Sequence, residues 1–420
     1  MNKLKLSFVL LLAGVSFFFF NIDNIRSFLK SNLPDTVKIK VKEIFFGKEY
    51  LEKIEYYSKL NYNQKVFPIT QFEELTVTKI KLRDLDTLSQ SHFDKINNTY
   101  SYKYKFFLDQ LANDVYVVSV VGKVFVFKNL NFNSIQVINS NLQDFKNIEV
   151  LDTKIINNFI YVSFEFSKLK TECKYFAVHR AKINEEKLIF ENFFSPQRCN
   201  KNNYGGRIAY GKVYEKNGVL LSTGAAEGEE FEAQNDNSHM GKIIFFSEED
   251  KNPQIISKGH RNPQGLYAEG ELILSTEHGP YGGDEINKII PNKNYGWPVS
   301  SYGETYEFKI GKSEFNYSKN HKKKIFEEPV FSFVPSVGIS EIIKIPNNFS
   351  RYWQDNFFVA SLNGSSLFRI KFDENFEKVI FSERINLLDR IRDIIYISKI
   401  NSFALAMEDH GEIWLLKTAN

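Results

Sequence analysis

Residues 259–303 read GHRNPQGLYAEGELILSTEHGPYGGDEINKIIPNKNYGWPVSSYG, and we infer that the rest of the chain is organised around them. Two strand-like runs, Gln264–Ala268 and Glu271–Thr276, are joined by a short turn at Glu269–Gly270. A glycine-rich loop over residues 277–285 follows, and its glycines permit close backbone approaches that a Cβ atom would block. Glycine, charged and aromatic residues are concentrated between ordinary strands here. This pattern indicates a functional site on loops that a β scaffold holds in place. A long loop that only packs on itself is the commoner explanation of such a stretch.

The composition is that of a large globular β protein. The chain has 420 residues, of which 43% are hydrophobic, and it contains 40 Phe and 21 Tyr. Aromatic residues favour strands and the packing of sheets against one another. The net charge of +3 is small for this length, so we expect no nucleic-acid partner.

Short strands separated by polar turns run through the chain from residue 114 onward. The predicted strands are Val115–Val120, Lys123–Phe127, Phe159–Phe166, Tyr175–Ala181, Lys187–Phe193, Arg207–Tyr214, Val219–Ser222, Lys242–Phe246, Gln264–Ala268, Glu271–Thr276, Pro329–Val334, Glu341–Ile345, Asn356–Ser361, Ser366–Phe372, Lys378–Glu383, Ile391–Ile397, Ser402–Met407 and Glu412–Leu416. Their regular succession, with almost no helical pattern between them, is typical of radially repeated sheets or of a sandwich. Because the chain is too long for one sandwich, we predict an all-β fold, a β-propeller, although no repeat of the Trp–Asp type is visible.

The N-terminal region differs from the rest. Lys3 and Lys5 precede an apolar run over residues 6–20, which has the length of a signal-peptide core and is short for a membrane span of about 20 residues. No clear cleavage site follows, so we predict that residues 1–22 are a signal peptide or a retained signal anchor. Residues 23–105 are assigned to a short helical or irregular stalk or accessory region of uncertain fold, with a possible helix at 48–60 and a strand-like piece at Leu75–Leu82. The propeller is assigned to residues 106–420.

Two cysteines, Cys173 and Cys199, leave the thiol chemistry open. In an exported chain they could form a disulfide, and two unpaired buried thiols are an equal alternative. The sequence has no CxxC motif and therefore no zinc or redox signature of that kind.

The quoted stretch resembles the soluble pyrroloquinoline-quinone-dependent glucose and aldose-sugar dehydrogenases, the glucose/sorbosone dehydrogenase family. The motifs that carry the resemblance, in family order and spacing, are GHRNPQG (259–265), EHGP (277–280), GGDEIN (282–287), NYGWP (294–298) and SYG (301–303). Further agreement comes from YGGR (204–207), VPS (334–336) and RIRD (390–393). The resemblance covers about residues 145–417 and implies a six-bladed propeller that binds the quinone (PQQ) with calcium at one end.

The resemblance also implies roles for particular residues. Those expected to contact the cofactor are Arg261, Asn262, Arg390 and Arg392, and the backbone carbonyls expected to hold calcium are those of Gly279 and Pro280. The cofactor is a planar tricarboxylate, which guanidinium groups meet in forked geometry, and carbonyl oxygens suit a hard cation. Asp284 and Glu285 are either two more oxygen donors or braces of the loop.

Three positions depart from the family pattern. Asn203 occupies the position of the family histidine that removes the proton of the sugar C1 hydroxyl, and asparagine takes up no proton near neutral pH. Ala225 replaces the aspartate that orients that histidine, and Asn363 replaces a lysine near the cofactor. Among the remaining histidines, we interpret His260 and His278 as structural braces and keep His239 as a minor candidate for a substitute base.

Two functions follow from these motifs and departures. The first is an exported quinoprotein that oxidises the C1 hydroxyl of a small-molecule sugar or alcohol, with hydride transfer to PQQ, and with activity reduced or lost through the three replacements. The alternative is a non-catalytic propeller that binds a sugar, an anionic ligand or a protein partner. In both cases the N-terminus predicts a periplasmic protein, either free or anchored to the inner membrane.

Overall fold

The computed structural model describes residues 74–82, 104–168, 173–184, 186–196, 198–200, 202–225, 228–304 and 317–419. The apolar run at 6–20, the possible helix at 48–60 and most of the accessory region 23–105 lie outside these residues. In the part of the chain that is described, no helix is long and apolar enough to cross a membrane.

Six sheets of four or five strands make up the described chain, and we number them as blades in chain order. Blade 1 contains β2 (Phe106–Leu111), β3 (Asp114–Ser119), β4 (Val124–Phe127), β5 (Gln136–Ser140) and β9 (Lys187–Leu188). Blade 2 contains β6 (Glu149–Ile156), β7 (Phe159–Ser167), β8 (Lys174–Lys182), β10 (Glu191–Phe194) and β11 (Cys199–Asn200). Blade 3 contains β12 (Gly205–Val213), β13 (Lys216–Thr223), β14 (Lys242–Ser247), β15 (Pro253–Lys258) and β19 (Lys293–Asn294).

The last three blades have four strands each. Blade 4 contains β16 (Pro263–Glu269), β17 (Leu272–Glu277), β18 (Asp284–Lys288) and β20 (Phe331–Phe333). Blade 5 contains β21 (Ile339–Lys344), β22 (Asn356–Ser361), β23 (Ser366–Phe372) and β24 (Val379–Asn386). Blade 6 contains β25 (Ile391–Ile397), β26 (Ser402–Met407), β27 (Glu412–Thr418) and β1 (Leu75–Lys81).

The blades close into a ring. The strands β2, β6, β12, β16, β21 and β25 are each packed against the next one in this order, and β25 returns to β2. They are therefore the innermost strands of a six-bladed β-propeller, and the predicted fold is confirmed. The ring is completed by β1, which pairs antiparallel with β27 from Leu75 opposite Thr418 to Lys81 opposite Glu412. These residues lie inside the range 23–105 that the sequence assigned to the stalk or accessory region, and the structure places them in blade 6.

Apolar side chains fill the space between neighbouring blades. Six separate clusters of buried residues lie at the six contacts between adjacent sheets. Because both faces of each sheet are covered, strands such as β4, with the sequence VFVF, are apolar at every position and fully buried. Aromatic rings meet edge to face across these contacts, as Tyr267 of blade 4 does with Phe357 of blade 5 at 5.2 Å between centroids. This packing accounts for the high aromatic content.

The predicted strands occur in the structure, with two corrections. The run Lys187–Phe193 is two short strands, because β9 pairs with β5 of blade 1 and β10 pairs with β8 of blade 2. The glycine-rich loop is shorter than 277–285, because Glu277 ends β17, and Asp284 and Glu285 begin β18. Strand β18 was not predicted because its sequence, DEINK, is polar. Its two carboxylates are nevertheless buried, and hydrogen bonds compensate for their burial. Six other strands, β2, β5, β6, β11, β15 and β19, were also not predicted.

A channel with a volume of about 400 Å3 follows the axis and is lined by all six innermost strands. Ion pairs cross it, since the Arg207 guanidinium lies 3.0 Å from both Asp152 and Glu341 and 3.2 Å from Asp393. Two of these carboxylates also accept main-chain N–H groups of the next innermost strand, Asp152 from Ile208 at 2.7 Å and Asp393 from Leu108 at 2.7 Å. These buried ion pairs and hydrogen bonds therefore link the innermost strands of different blades to one another.

Candidate functional site

The predicted site residues share one end of the propeller. We call this end the upper face; it is where the innermost strands begin, at Phe106, Glu149, Gly205, Pro263, Ile339 and Ile391. Arg261 and Asn262 come immediately before β16, and Arg390 and Arg392 flank the start of β25. Gly279 and Pro280 follow β17, whose last residue, Glu277, pairs with Pro263. Asn203 lies just before β12. Residues that are distant in sequence are thus brought to one surface by the parallel arrangement of the innermost strands around the axis.

Arg261 is held in place from several sides. Its main-chain N–H donates to Glu277 Oε2 at 3.0 Å, and its side chain donates to the carbonyl oxygen of His278 at 3.0 Å. The guanidinium also lies over the ring of Trp297, 5.2 Å from the centroid, so a residue of the NYGWP turn makes a cation–π contact with it. The position of this arginine is therefore set by the motifs on either side of it.

Gln264 links the Arg–Asn–Pro corner to the C-terminal arginines. Its side chain donates to Asn262 Oδ1 at 2.8 Å and accepts from Arg392 at 3.0 Å. Asn262 Oδ1 also accepts the Gly205 N–H at 3.1 Å, which connects blade 4 to blade 3. No role was predicted for Gln264 from the sequence, although it lies within the GHRNPQG motif.

Glu408 holds the two C-terminal arginines together. Arg390 donates to Glu408 Oε2 at 3.0 Å, and Arg392 donates to Glu408 Oε1 at 2.6 Å. Burial by itself would raise the pKa of Glu408, but the guanidinium groups of Arg392 and Arg390 outweigh burial and hold the pKa below its ordinary value. The three side chains together carry a net positive charge, because one carboxylate faces two guanidinium groups. The only sequence signal for Glu408 was an acid directly after the apolar run of β26.

Asp284 braces the Gly279–Pro280 turn and offers no spare oxygen to a cation. Its Oδ1 accepts from the Gly279 N–H at 3.1 Å and from the Ser336 hydroxyl at 2.7 Å. Its Oδ2 accepts the N–H groups of Val337 and Ile339, both at 3.0 Å. Of the two roles considered from the sequence, the structure shows the bracing one.

Glu285 belongs to the buried interior behind the turn. It lies opposite Glu277 in the β17–β18 ladder, and burial raises its pKa well above the ordinary value, with the Glu277 charge adding to the rise. Asn287 donates to both carboxylates, at 2.6 Å to Glu277 and 3.4 Å to Glu285. We therefore interpret Glu285 as a structural residue beneath the Gly279–Pro280 turn.

The histidines of the two motifs behave differently. His260 is fully buried, contacts Ser257 Oγ at 2.8 Å and Glu277 Oε1 at 3.3 Å, and stacks on Tyr295. It is a structural brace. Burial lowers the pKa of His278 to about 4, and the guanidinium charges of Arg261 and Arg392 add to the lowering against the opposing carboxylate of Asp284. His278 is therefore neutral at physiological pH and lies within the electrostatic reach of both arginines.

Asn203 is buried. Its Oδ1 accepts from Asn200 at 2.7 Å, and its Nδ2 donates to the carbonyl oxygen of Lys174 at 3.2 Å. The other two replacements lie on the same face. Ala225 is buried with its N–H donating to the Arg261 carbonyl at 2.8 Å, and Asn363 is exposed in the hairpin between β22 and β23. Both side-chain amide atoms of Asn203 are thus engaged by the protein.

His239 lies on the loop that leads into β14, and its ring packs edge to face on Phe194, with 5.3 Å between centroids. Burial lowers its pKa. Cys173 and Cys199 form a disulfide with a Cα–Cα separation of 5.5 Å, which resolves the alternatives left by the sequence. The bridge joins residues directly adjacent to Lys174 and Asn200, so it supports the segment that holds Asn203.

Two glutamates beside Asn203 were not found from the sequence. Glu165 Oε2 accepts the Asn203 N–H at 3.0 Å, and Glu165 also forms an ion pair with Lys174. Glu149 lies directly opposite Glu165 in the β6–β7 ladder and contacts Lys105 at 3.0 Å. Glu165 is the one charged residue in the run IYVSFEF (160–166), and this was its only sequence signal, whereas Glu149 had none.

A sequence model of the family described as glucose/sorbosone dehydrogenase matches residues 141–415, which is well over half of the chain. The chain belongs to the glucose/sorbosone dehydrogenase family. The matched region contains all the motifs described above, from the start of β6 to β27.

Known proteins resemble this family member in sequence and in fold. The aldose sugar dehydrogenase YliI of Escherichia coli strain K12 is 29% identical over 259 residues, which cover 57% of this chain and 66% of the relative. A crystal structure of glucose dehydrogenase has a TM-score of 0.65 at 21% identity and covers 82% of this chain and 99% of that one. The PQQ-bound form of an aldose sugar dehydrogenase from Streptomyces coelicolor has a TM-score of 0.54 at 18% identity, covering 82% and 99%. PQQ is therefore a ligand of a solved propeller of this fold.

The residues of the upper face fit a planar anion of that kind. Arg261 Nε, His278 Nε2 and Trp297 Nε1 are buried atoms with no hydrogen-bond partner among the described residues. Buried polar groups are normally paired, and an unpaired one costs about 1–3 kcal/mol. An anion with carboxylate and carbonyl oxygens would supply the acceptors that the arginine and indole N–H groups lack. No group of three or more His, Cys, Asp or Glu side chains in the described chain is arranged to hold a metal ion.

Proposed function

We propose that this protein binds PQQ at the upper face and oxidises the C1 hydroxyl of an aldose or related alcohol. The single observation that carries the proposal is the joined cluster in which Gln264 connects Asn262 to Arg392, and Arg392 shares Glu408 with Arg390. The unpaired Nε of Arg261 belongs to the same surface. When bound, the quinone supplies the hydride acceptor, and the chain supplies binding, orientation and the path for the proton.

The arginines have distinct tasks in this proposal. Arg390 and Arg392 are oriented through Glu408, so their guanidinium planes are preorganised before an anion arrives. Arg261 is fixed by Trp297 and by the His278 carbonyl, and Asn262 is fixed by Gly205 and Gln264. A rigid arrangement of donors loses little side-chain entropy on binding, which supports affinity for a flat polyanion.

Calcium is the second part of the proposal. The backbone carbonyls of Gly279 and Pro280 are the donors assigned to it, because Asp284 is occupied by four hydrogen bonds and Glu285 lies behind the turn. Support for this part comes from the Gly–Pro turn and from the family resemblance. Carbonyl oxygens are suitable ligands for calcium, and water would complete such a shell.

We further propose that turnover is lower than in relatives that carry the histidine. Asn203 has no group that takes up a proton, and Ala225 and Asn363 remove an acid and a cation from the same face. The alternative, a non-catalytic propeller, is favoured by one observation, namely that both amide atoms of Asn203 are committed to Asn200 and Lys174. Binding without turnover would identify that alternative.

The test is a cofactor-binding and turnover experiment on the purified protein. PQQ with calcium should raise the midpoint of thermal unfolding, and a panel of aldoses should reduce an added dye slowly. Arg261→Ala should abolish both effects, because it removes the guanidinium over Trp297. Lys216→Ala is the matched control, since Lys216 is an exposed cation paired only at the surface with Glu249. Absence of both stabilisation and turnover in the unaltered protein would refute the proposal.

The protein is proposed to act after export. The disulfide between Cys173 and Cys199 supports an oxidising compartment such as the periplasm, and the apolar run at residues 6–20 supports a signal peptide or anchor. Cell fractionation with and without the first 22 residues tests the proposal, because the shortened chain should remain inside the cell.

A further inference from the structure

Four charged side chains form a continuous network on the upper face next to Asn203. Lys105 contacts Glu149 at 3.0 Å, Lys174 contacts Glu149 at 3.6 Å, and Lys174 is also paired with Glu165. They come from four segments: Lys105 precedes β2, Glu149 and Glu165 face each other in β6 and β7, and Lys174 is the first residue of β8. Among the described residues, the charges that act on Glu165 are those of Lys174 and Glu149. The site residues assigned from the sequence include none of these four.

The two glutamates of the network differ in their surroundings. The Glu165 side chain is 4% exposed, whereas that of Glu149 is 35% exposed. Glu149 and Glu165 lie directly opposite each other in the β6–β7 ladder, so the charge of one carboxylate disfavours ionisation of the other. Burial raises the pKa of Glu165 to about 7, and the Glu149 charge adds to the rise, while the Lys105 charge lowers the pKa of Glu149 to about 2. Of the two carboxyl groups, Glu165 is therefore the one that gains or loses a proton near neutral pH, while Glu149 stays ionised.

Glu165 lies in direct contact with Asn203, the residue at the position of the family histidine. Glu165 Oε2 accepts the main-chain N–H of Asn203 at 3.0 Å, so the carboxyl group is attached to the segment that leads into β12. Two residues further on, the Gly205 N–H donates to Asn262 of the cofactor corner at 3.1 Å. A buried carboxyl group thus lies directly beside Asn203, whose own side chain takes up no proton. Pairs of carboxyl groups with separated pKa values are the usual arrangement for acid–base work.

We propose that Glu165 is the proton acceptor for the alcohol in this protein, reached through one bridging water beside Asn203, with Lys174 and Glu149 as positioning residues. The inference rests on the proposed dehydrogenase function. In the reaction, the O–H bond of the substrate C1 hydroxyl breaks and its proton passes to the Glu165 carboxylate. The C–H electron pair leaves as the hydride that the proposed quinone accepts, and the carbonyl product forms. Glu165 then releases the proton to solvent on the side where the partly exposed Glu149 lies.

Three variants of the full chain test the proposal in the PQQ- and calcium-dependent dye assay over pH 5–9. The unaltered protein should show kcat rising with pH through about 7, because the acceptor must be deprotonated. Glu165→Gln keeps the shape and the hydrogen bond from Asn203, and it should lower kcat by about 100-fold or more with KM for the sugar changed less than about 3-fold. Glu149→Gln removes the negative neighbour and should shift the rising limb to lower pH. Glu191→Gln, on the outer strand β10 and exposed, should leave the profile unchanged.

A second measurement does not depend on the cofactor. Difference infrared spectra of the unaltered protein minus Glu165→Gln, recorded without PQQ, should show a carboxylic-acid band that disappears as the pH is raised through about 7. The double variant Glu165→Gln with Asn203→His should regain turnover, since an imidazole then stands in the proton-accepting position. This recovery would also show that Glu165→Gln is folded.

The outcomes separate the two proposals. Turnover and pH profile unchanged by Glu165→Gln would overturn the role of Glu165 and leave the dehydrogenase function standing. Cofactor-induced stabilisation without any turnover in the unaltered protein would overturn the role of Glu165 and leave a binding protein. No stabilisation by PQQ would overturn both. A 100-fold loss together with the shifted limb of Glu149→Gln would support Glu165 as the acceptor.

Discussion

Gly279 shows how a single hydrogen atom in place of a side chain shapes the upper face. A Cβ atom at this position would lie 2.3 Å from the carbonyl oxygens of both Gly282 and Gly283, and both are backbone atoms that cannot rotate away. We expect Gly279→Ala to lower the free energy of unfolding by about 1–3 kcal/mol, as overpacked sites do. Urea denaturation measures this change. Asn363→Ala, on the same face but exposed, should stay within about 0.5 kcal/mol of the unaltered protein.

Glu408 makes a different prediction, based on charge. Glu408→Gln leaves Arg390 and Arg392 partly buried without their shared carboxylate, and breaking a buried pair in this way costs about 3–5 kcal/mol. Because the folded-state pKa of Glu408 is held below its ordinary value, its contribution is present above the unfolded pKa and is lost as the pH falls through the folded one. The variant should therefore show a lower unfolding free energy at pH 7 and a shallower loss of stability on acidification.

The control for Glu408 is another carboxylate in an ion pair. Glu249 pairs with Lys216 at 2.8 Å, but both side chains are at least half exposed. Glu249→Gln should change the unfolding free energy by less than about 1 kcal/mol, since exposed pairs contribute little. Equal effects of the two substitutions would contradict the assignment of Glu408 as a buried anchor for the arginines.

At the level of single elements, β1 is the strand that closes the ring. The Ala419 N–H donates to the Glu74 carbonyl at 2.7 Å, and the ladder continues inward from that pair. In an antiparallel pair the hydrogen-bonded positions alternate, so the N–H of Thr78 points to β27 and that of Lys79 points away. Thr78→Pro should therefore lower the unfolding free energy by about 1–3 kcal/mol through the lost ladder bond.

Lys79→Pro is the matched comparison for β1, because residue 79 is equally exposed and on the same strand. It removes the cation–π contact of Lys79 with Trp414 but no bond to β27. Calorimetry of both variants should show the larger drop in midpoint for Thr78→Pro. The reverse order would mean that the register of β1 on β27 differs from the one described.

Single strands and contiguous motifs were predicted from the sequence more successfully than the contacts between distant residues. Short runs rich in apolar residues and separated by polar turns marked most strands, and the Arg–Asn–Pro corner was visible because its residues are contiguous. Strand β18 was missed because its carboxylates are buried by hydrogen bonds, as when Asp284 accepts from Val337. Contacts between distant residues, such as Arg392 with Gln264 across 128 positions, depend on the closure of the ring and carry no local signal.

At the scale of the whole molecule, buried carboxylates in the axial channel make stability depend on pH. Burial raises the pKa of Asp109, that of Asp152 to about 8 and that of Glu341 to about 7, even though Lys154 and Arg207 lie among them. A carboxyl whose folded-state pKa is raised stabilises the fold fully below its unfolded pKa and loses that contribution as the pH rises through the folded value. The ring, held from inside by these groups, should therefore weaken between about pH 4 and pH 8.

Thermal unfolding of the unaltered protein should accordingly have a lower midpoint at pH 8 than at pH 5. Glu341→Gln is neutral at every pH and keeps an oxygen facing Arg207, so it should flatten this dependence by lessening the loss at the alkaline end. Glu374→Gln, at an exposed position in the turn before β24, should leave the slope unchanged. A midpoint that rises from pH 5 to pH 8 would mean that the channel carboxylates are ionised throughout and that the arginine and lysine charges outweigh the cost of burying them.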